Sequence, residues 1–138
     1  MGRIVALDYG KKRTGIAVSD PLRLIAGGLT TLPSGEIIDF LKQYIAENTV
    51  DLFVVGDPRQ MNYESSENRE RVMKFKDNLH RTFPGIGIQL FDERFTTLLA
   101  HQAMIQGGLK KKDRRDKALV DELSATILLQ SFLETNKA

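Results

Sequence analysis

The order in which apolar runs and turns succeed one another constrains this chain most. Three strand-like runs come first, Arg3 to Leu7, Gly15 to Ser19 and roughly Ile25 to Leu32. Only turn residues such as Gly10 and Asp20-Pro21 separate them, which predicts an antiparallel meander. From Ser34 onward the period changes. Ile37, Ile38, Leu41, Tyr44 and Ile45 fall at helical spacing, with Ser34 as the expected cap. "DLFVVGDP" reads as a buried strand ended by Gly56 and Pro58. A helix carrying Val72, Phe75, Leu79 and Phe83 on one side then stops at Pro84-Gly85. A strand in "IGIQLFDERF", a helix from about Thr97 to Gln106 and a last amphipathic helix from about Ala118 to Glu134 complete the order. A meander followed by alternating helix and strand predicts an α/β chain: a five-stranded mixed sheet flanked by helices, with the first, fourth and fifth strands parallel. A doubly wound, wholly parallel sheet is the rival. The short turns between the first three strands count against it, because parallel neighbours need long crossovers.

The 138 residues are expected to form one domain, 1–138. With no cysteine, disulfides, thiolate metal sites and thiol nucleophiles are all excluded. Of the two histidines, His80 falls on the polar side of its helix and His101 has no second histidine in range, so neither is a candidate ligand or base. The N-terminus runs directly into a strand, without a charged and then apolar leader. No segment approaches the roughly 20 apolar residues of a membrane helix, so the expected location is cytoplasmic with no membrane partner.

Carboxylates gather at element ends: Asp8 after the first strand, Asp57 after the fourth, Asp92 and Glu93 after the fifth, and Asp121 in the last helix. With parallel first, fourth and fifth strands, the first four fall along one edge, where open sheets bind ligands. Asp121 lies one turn ahead of Ala125 and Leu128, on the side expected to meet the sheet. Converging carboxylates repel one another unless a cation neutralises them, and hard oxygen donors suit Mg²⁺ or Mn²⁺. Taken singly, an aspartate after a strand is more often a turn or cap residue. Their shared placement is what raises them to a candidate site.

The cations flank the same edge in the chain. Lys11, Lys12 and Arg13 occupy the first turn, and Lys110, Lys111, Lys112, Arg114 and Arg115 precede Asp121, with Asp113 among them. Arg94 follows the acidic pair of the fifth strand. A net charge of only +2 makes this distribution, rather than the total, the argument for a nucleic-acid partner. A lysine run alone is usually a solvated loop.

Four stretches, "ALDYGKKRTGIAVSD", "VVGDP", "FDERFTT" and "LVDELSATILLQSFLE", resemble the YqgF (RuvX) family across essentially the whole chain. The family comprises Holliday junction resolvases, also viewed as nucleases that process ribosomal RNA precursors. The resemblance implies a ribonuclease H-like fold, matching the order of elements above. It implies Asp8, Glu93 and Asp121 as catalytic, metal-binding carboxylates around Mg²⁺ or Mn²⁺, with Asp92 a neighbour of open role. Strand alternation sends Asp92 and Glu93 to opposite faces, so one of the two is expected to point into the site. Asp57 departs from the large apolar residue usual in the family. Two orientations stay open for it, an added metal ligand or a cap on the Pro58 turn. Gly10 is expected to bend its turn with a positive φ, and Lys11 to Arg13 to meet the substrate backbone.

The expected partner is structured RNA or branched DNA, and the expected reaction is hydrolysis of one phosphodiester, in the 5′ end of pre-16S rRNA or in a Holliday junction. The rival reading is a ribosome-assembly or transcription factor that keeps the fold, binds nucleic acid and cuts nothing. An actin- or sugar-kinase-like ATPase built on "LDYGKKRTG" is disfavoured, because such enzymes need two domains. The sequence leaves open a monomer or a homodimer.

Overall fold

The computed structural model describes residues 2–57, 65–92 and 117–135, without the side chains of 65–67 and 117–121. The meander appears as β1 (Arg3–Tyr9), β2 (Arg13–Ser19) and β3 (Ala26–Pro33). After a single 3₁₀ turn over Ser34–Glu36 come α1 (Ile37–Glu47), β4 (Val50–Asp57), α2 (Ser65–Thr82) and β5 (Gly87–Asp92). Helix α3 (Lys117–Thr135) is the last described element. The helix expected near Thr97 to Gln106 lies outside the described residues.

The strands form one sheet in the order β3-β2-β1-β4-β5. β1–β2 and β2–β3 pair antiparallel, while β1–β4 and β4–β5 pair parallel. This is the mixed sheet expected from the sequence, and the parallel members are those joined through helices.

Alternation along each strand divides the molecule into two cores. On one face Val5, Leu7, Ile16, Phe53 and Val55 pack with Ile37 and Leu41 of α1 and with Val72, Phe75 and Leu79 of α2. On the other, Ile4, Ala6, Ala17 and Val54 pack with Ala125, Leu128, Leu129 and Phe132 of α3. Each large aliphatic or aromatic side chain so buried contributes about 1.5–3 kcal/mol. Ala6 and Ala17 keep the second face shallow, so α3 lies close on the strands. Its direction is set at both ends: Glu122 sits over Gly28 of β3, and Phe132 meets Phe91 of β5 edge-on at 6.0 Å. The helix therefore crosses the sheet from β3 towards β5.

Three local expectations are corrected. Ser34 does not cap α1. The residue before that helix is Glu36, without a side-chain cap, and the Ser34 hydroxyl donates instead to the Gly10 carbonyl and shares a 2.8 Å bond with Thr14 Oγ1. Ile25 is not in β3, because the Asp20 Oδ1 accepts from the Leu24 and Ile25 amides at 2.8 Å each and holds that segment as a turn. Asp8 does not follow β1 but lies within it, since hairpin pairing continues through Asp8↔Gly15 and Tyr9↔Thr14.

Candidate active site

The parallel strands end side by side, and their registers define two rows of side chains at that edge. The first row lies on the α3 face. Asp8 shares the parity of Ile4 and Ala6, which pack under α3. Its partner on β2 is Gly15, which pairs in turn with Thr31 of β3. On β4, Gly56 comes one step beyond the Leu7↔Val55 pair, and it pairs with Phe91 of β5. The half-buried Asp8 carboxylate thus has a glycine beside it on each neighbouring strand. Glycine presents bare backbone, so neither neighbouring strand sets a Cβ beside Asp8. The sequence reading missed this placement of Gly15 and Gly56. The signal is a strand glycine opposite a carboxylate, visible only once the register is known.

The second row faces α2. Asp57 shares the parity of Phe53 and Val55, and Asp92 that of Ile88 and Leu90, all in or against the α1–α2 core. Asp57 and Asp92 are partners in the β4–β5 ladder. Asp57 is only 2% exposed, and its Oδ1 accepts from Arg69 Nε at 3.1 Å. Asp57 points away from the face of Asp8, not towards it as an added ligand there would, and forms an ion pair with α2. The segment beginning at Pro58 lies outside the described residues.

The other expected site residues divide in the same way. Lys11 and Lys12 are exposed in the β1–β2 turn, close in the chain to Asp8, and Arg13 is half-buried as the first residue of β2. That turn is fastened from two directions. Gly10 N donates to the Arg13 carbonyl at 2.9 Å, and Ser34 N to the Lys12 carbonyl at 3.0 Å. Gly10 does not adopt the expected positive φ. It is required by space instead, because a Cβ there would lie 2.6 Å from the Arg13 carbonyl oxygen. The backbone of Asp121 lies in α3, one turn ahead of the buried Ala125, and its side chain is outside the description. Glu93, Arg94, Lys110, Lys111, Lys112, Arg114 and Arg115 are likewise outside it. Among the described residues no three histidine, aspartate or glutamate side chains gather as a metal cluster. Two of the three expected ligands, Glu93 and the Asp121 side chain, are not in that set. The donors that remain candidates are all carboxylate oxygens, the chemistry that Mg²⁺ and Mn²⁺ prefer.

A sheet of this order and sense, flanked by helices and carrying an aspartate inside the end of its central strand, defines the ribonuclease H-like class. Solved structures agree on the fold. Thermus thermophilus RuvC bound to a Holliday junction substrate superposes with a TM-score of 0.60 at 16% identity, covering 99% of this chain and 97% of that one. Fowlpox virus resolvase with Holliday junction DNA gives 0.58 at 12% identity, over 96% and 97%. The chain belongs to the RuvX family, described as Holliday junction resolvase, whose model matches residues 2–135. Relatives from Parabacteroides distasonis and Phocaeicola vulgatus are 58% and 55% identical over 137 residues, covering 99% of this chain and 98–99% of theirs. Both are named as candidate pre-16S rRNA nucleases. The family's chemistry is hydrolysis of phosphodiester bonds. Among the described residues no helix is long and apolar enough to cross a membrane.

Proposed function

We propose that this chain is a divalent-metal-dependent nuclease that cuts structured nucleic acid at the α3 side of the sheet edge, with the 5′ end of pre-16S rRNA as its preferred substrate. The observation that carries the reading is Asp8, a carboxylate held inside the central strand between Gly15 and Gly56. The choice of substrate rests on relatives above 50% identity over the full chain that bear that name. The resolvases with junction DNA share only the fold, at 16% identity or less.

Asp8, Glu93 and Asp121 would hold Mg²⁺ or Mn²⁺. Alternation supports Glu93 over Asp92 as the inward member of its pair: Asp92 has the α2-facing parity, and Phe91, two residues before Glu93 in sequence, packs on α3. When bound, such an ion activates water and stabilises the leaving oxygen of a phosphodiester. The chain's own part is to orient the carboxylates and to hold the scissile backbone. Lys11 and Lys12, exposed on their fastened turn, would meet phosphates beside Asp8, and the basic segment ahead of Asp121 would extend that contact.

The test is cleavage of labelled precursor 16S rRNA and of a synthetic four-way DNA junction by the purified chain, with Mg²⁺, Mn²⁺ or chelator. The expected result is metal-dependent cutting of the RNA, reduced more than about 100-fold in Asp8→Asn with unchanged thermal unfolding. Cutting of the junction in preference to the RNA would replace the substrate. Binding of either without cutting under any metal would instead support the assembly-factor reading.

A further inference from the structure

The ion pair between Asp57 and Arg69 has no task in the reaction outlined above, and its construction is unusual. One partner is nearly sealed and the other is open: the Asp57 side chain is 3% exposed and that of Arg69 43%. For contrast, the Arg23–Asp51 pair is exposed on both sides, at 35% and 41%, and works as a clasp. There Asp51 Oδ2 also takes the Gly2 amide at 2.7 Å, while Arg23 Nε reaches the Gly2 carbonyl at 3.3 Å. A buried carboxylate is an expensive way to fasten a helix, because an apolar residue in its place often stabilises as well or better. It is an effective way to hold a guanidinium in one orientation. The bond uses Nε, which leaves the Nη1 and Nη2 donors of the planar fork for another acceptor.

The location gives those donors an object. Asp57 closes β4 one residue beyond Gly56, the glycine beside Asp8. Arg69 is in the first turns of α2, the helix that follows that strand end. The exposed lysines of the β1–β2 turn and the Arg69 fork therefore occupy the same end of the sheet, with the Asp8 row on its α3 face and Arg69 on its α2 face. We propose that Arg69 contacts a backbone phosphate of the bound nucleic acid, flanking the one that is cut, and that Asp57 is a positioning residue that aims it. This rests on the nuclease reading above and extends its substrate path across the sheet edge onto α2.

The two halves of the proposal are separable by experiment. Binding of the full chain to the precursor 16S RNA and to the four-way junction would be followed by fluorescence anisotropy over a series of salt concentrations. The variants are Arg69→Ala, Arg69→Lys, Asp57→Asn and the double variant, each with a melting curve. Arg69→Ala should weaken binding about 10-fold and lower the slope of log K against log salt by about 1. It should raise KM while leaving kcat at saturating substrate nearly unchanged. Arg69→Lys should keep the slope and recover part of the affinity. Asp57→Asn is the decisive variant, since it removes a negative charge near a polyanion. Charge alone predicts tighter binding, whereas a lost aim predicts binding several-fold weaker and a double variant no weaker than Arg69→Ala alone. Wild-type affinity and slope in Arg69→Ala would overturn the phosphate contact. Tighter binding by a folded Asp57→Asn would overturn the positioning role, and the Arg69 pair of variants decides the contact even where Asp57→Asn does not fold. A wild-type chain that neither binds nor cuts either substrate would sink the nuclease reading and this inference with it, an outcome distinct from a binding wild type with an indifferent Arg69.

Discussion

The ring of Tyr9 lies flat against that of Phe75, with centroids 4.2 Å apart and planes 7° from parallel. Tyr9 directly follows Asp8 and points to the opposite face, so this stack braces from behind the strand end that carries the carboxylate. Phe75→Ala should cost about 3–5 kcal/mol in urea unfolding, as a large buried side chain is removed. Tyr9→Phe should leave both stability and cleavage near wild type, because the stack requires the ring and not the hydroxyl. Equal losses in Tyr9→Phe and Tyr9→Ala would show that something other than ring stacking is at work.

The turn bearing Lys11 and Lys12 depends on two small residues. Gly10→Ala would push a Cβ against the Arg13 carbonyl, a backbone atom that cannot swing aside. It is expected to cost about 1–3 kcal/mol and to weaken nucleic-acid binding through the displaced lysines. Ser34→Ala removes the partner of the fully buried Thr14 hydroxyl, at about 1–3 kcal/mol. Calorimetry and binding on both variants check the link: binding should fall with the turn's integrity and remain intact in a core variant of similar stability.

Gly15 faces the carboxylate of Asp8 across the β1–β2 ladder. Gly15→Val places a branched side chain in that space while favouring strand backbone. Cleavage should fall more than about 10-fold with the chain still folded, in the sense that a 1 Å misplacement at a reacting centre costs on the order of 100-fold. A Gly15→Val enzyme that cuts normally would show that the approach to Asp8 does not pass over the bare strand.

Acid should loosen the β2–β3 turn through Asp20. The Ile25 amide, joined by those of Leu24 and Leu22, holds its carboxyl below the ordinary value of 3.8. A group depressed on folding contributes stability that is complete above its unfolded value and disappears as the pH falls through the folded one. Wild type should therefore exceed Asp20→Asn by a constant margin at neutral pH. The margin should shrink below 3.8, as urea midpoints at successive pH values would show. A margin that persists unchanged into strong acid would rule out the carboxylate charge as its source.

The fold was legible because its signals are local. Apolar runs with short turns announced the meander, and the change of period at Ser34 announced the crossovers. Faces were much less legible. Leu52 to Val55 is apolar without interruption, so its periodicity says nothing of which side Asp57 takes, and only the position of α2 decides it. The face of Asp92 likewise became known only with Ile88 and Leu90 seated against the α1–α2 core. Ser34 carried a sound capping signal that tertiary contacts overrode, because its hydroxyl met Gly10 and Thr14 from another strand pair. Asp8 stood out from its place after an apolar run, yet only the β1–β2 and β1–β4 registers put Gly15 and the distant Gly56 beside it.

Helix α3 supplies the whole described cover of the Asp8 face, and it is the last described element of the chain. A ribosome delivers the chain N-terminus first. The side packed by α1 and α2 can therefore mature during synthesis, while Ala6, Ala17 and Val54 lack their α3 cover until residues 117–135 have emerged. The half of the molecule that would cut is the half whose described helix follows the other two in the chain. Cutting that depends on Asp8 would then wait for α3 to dock.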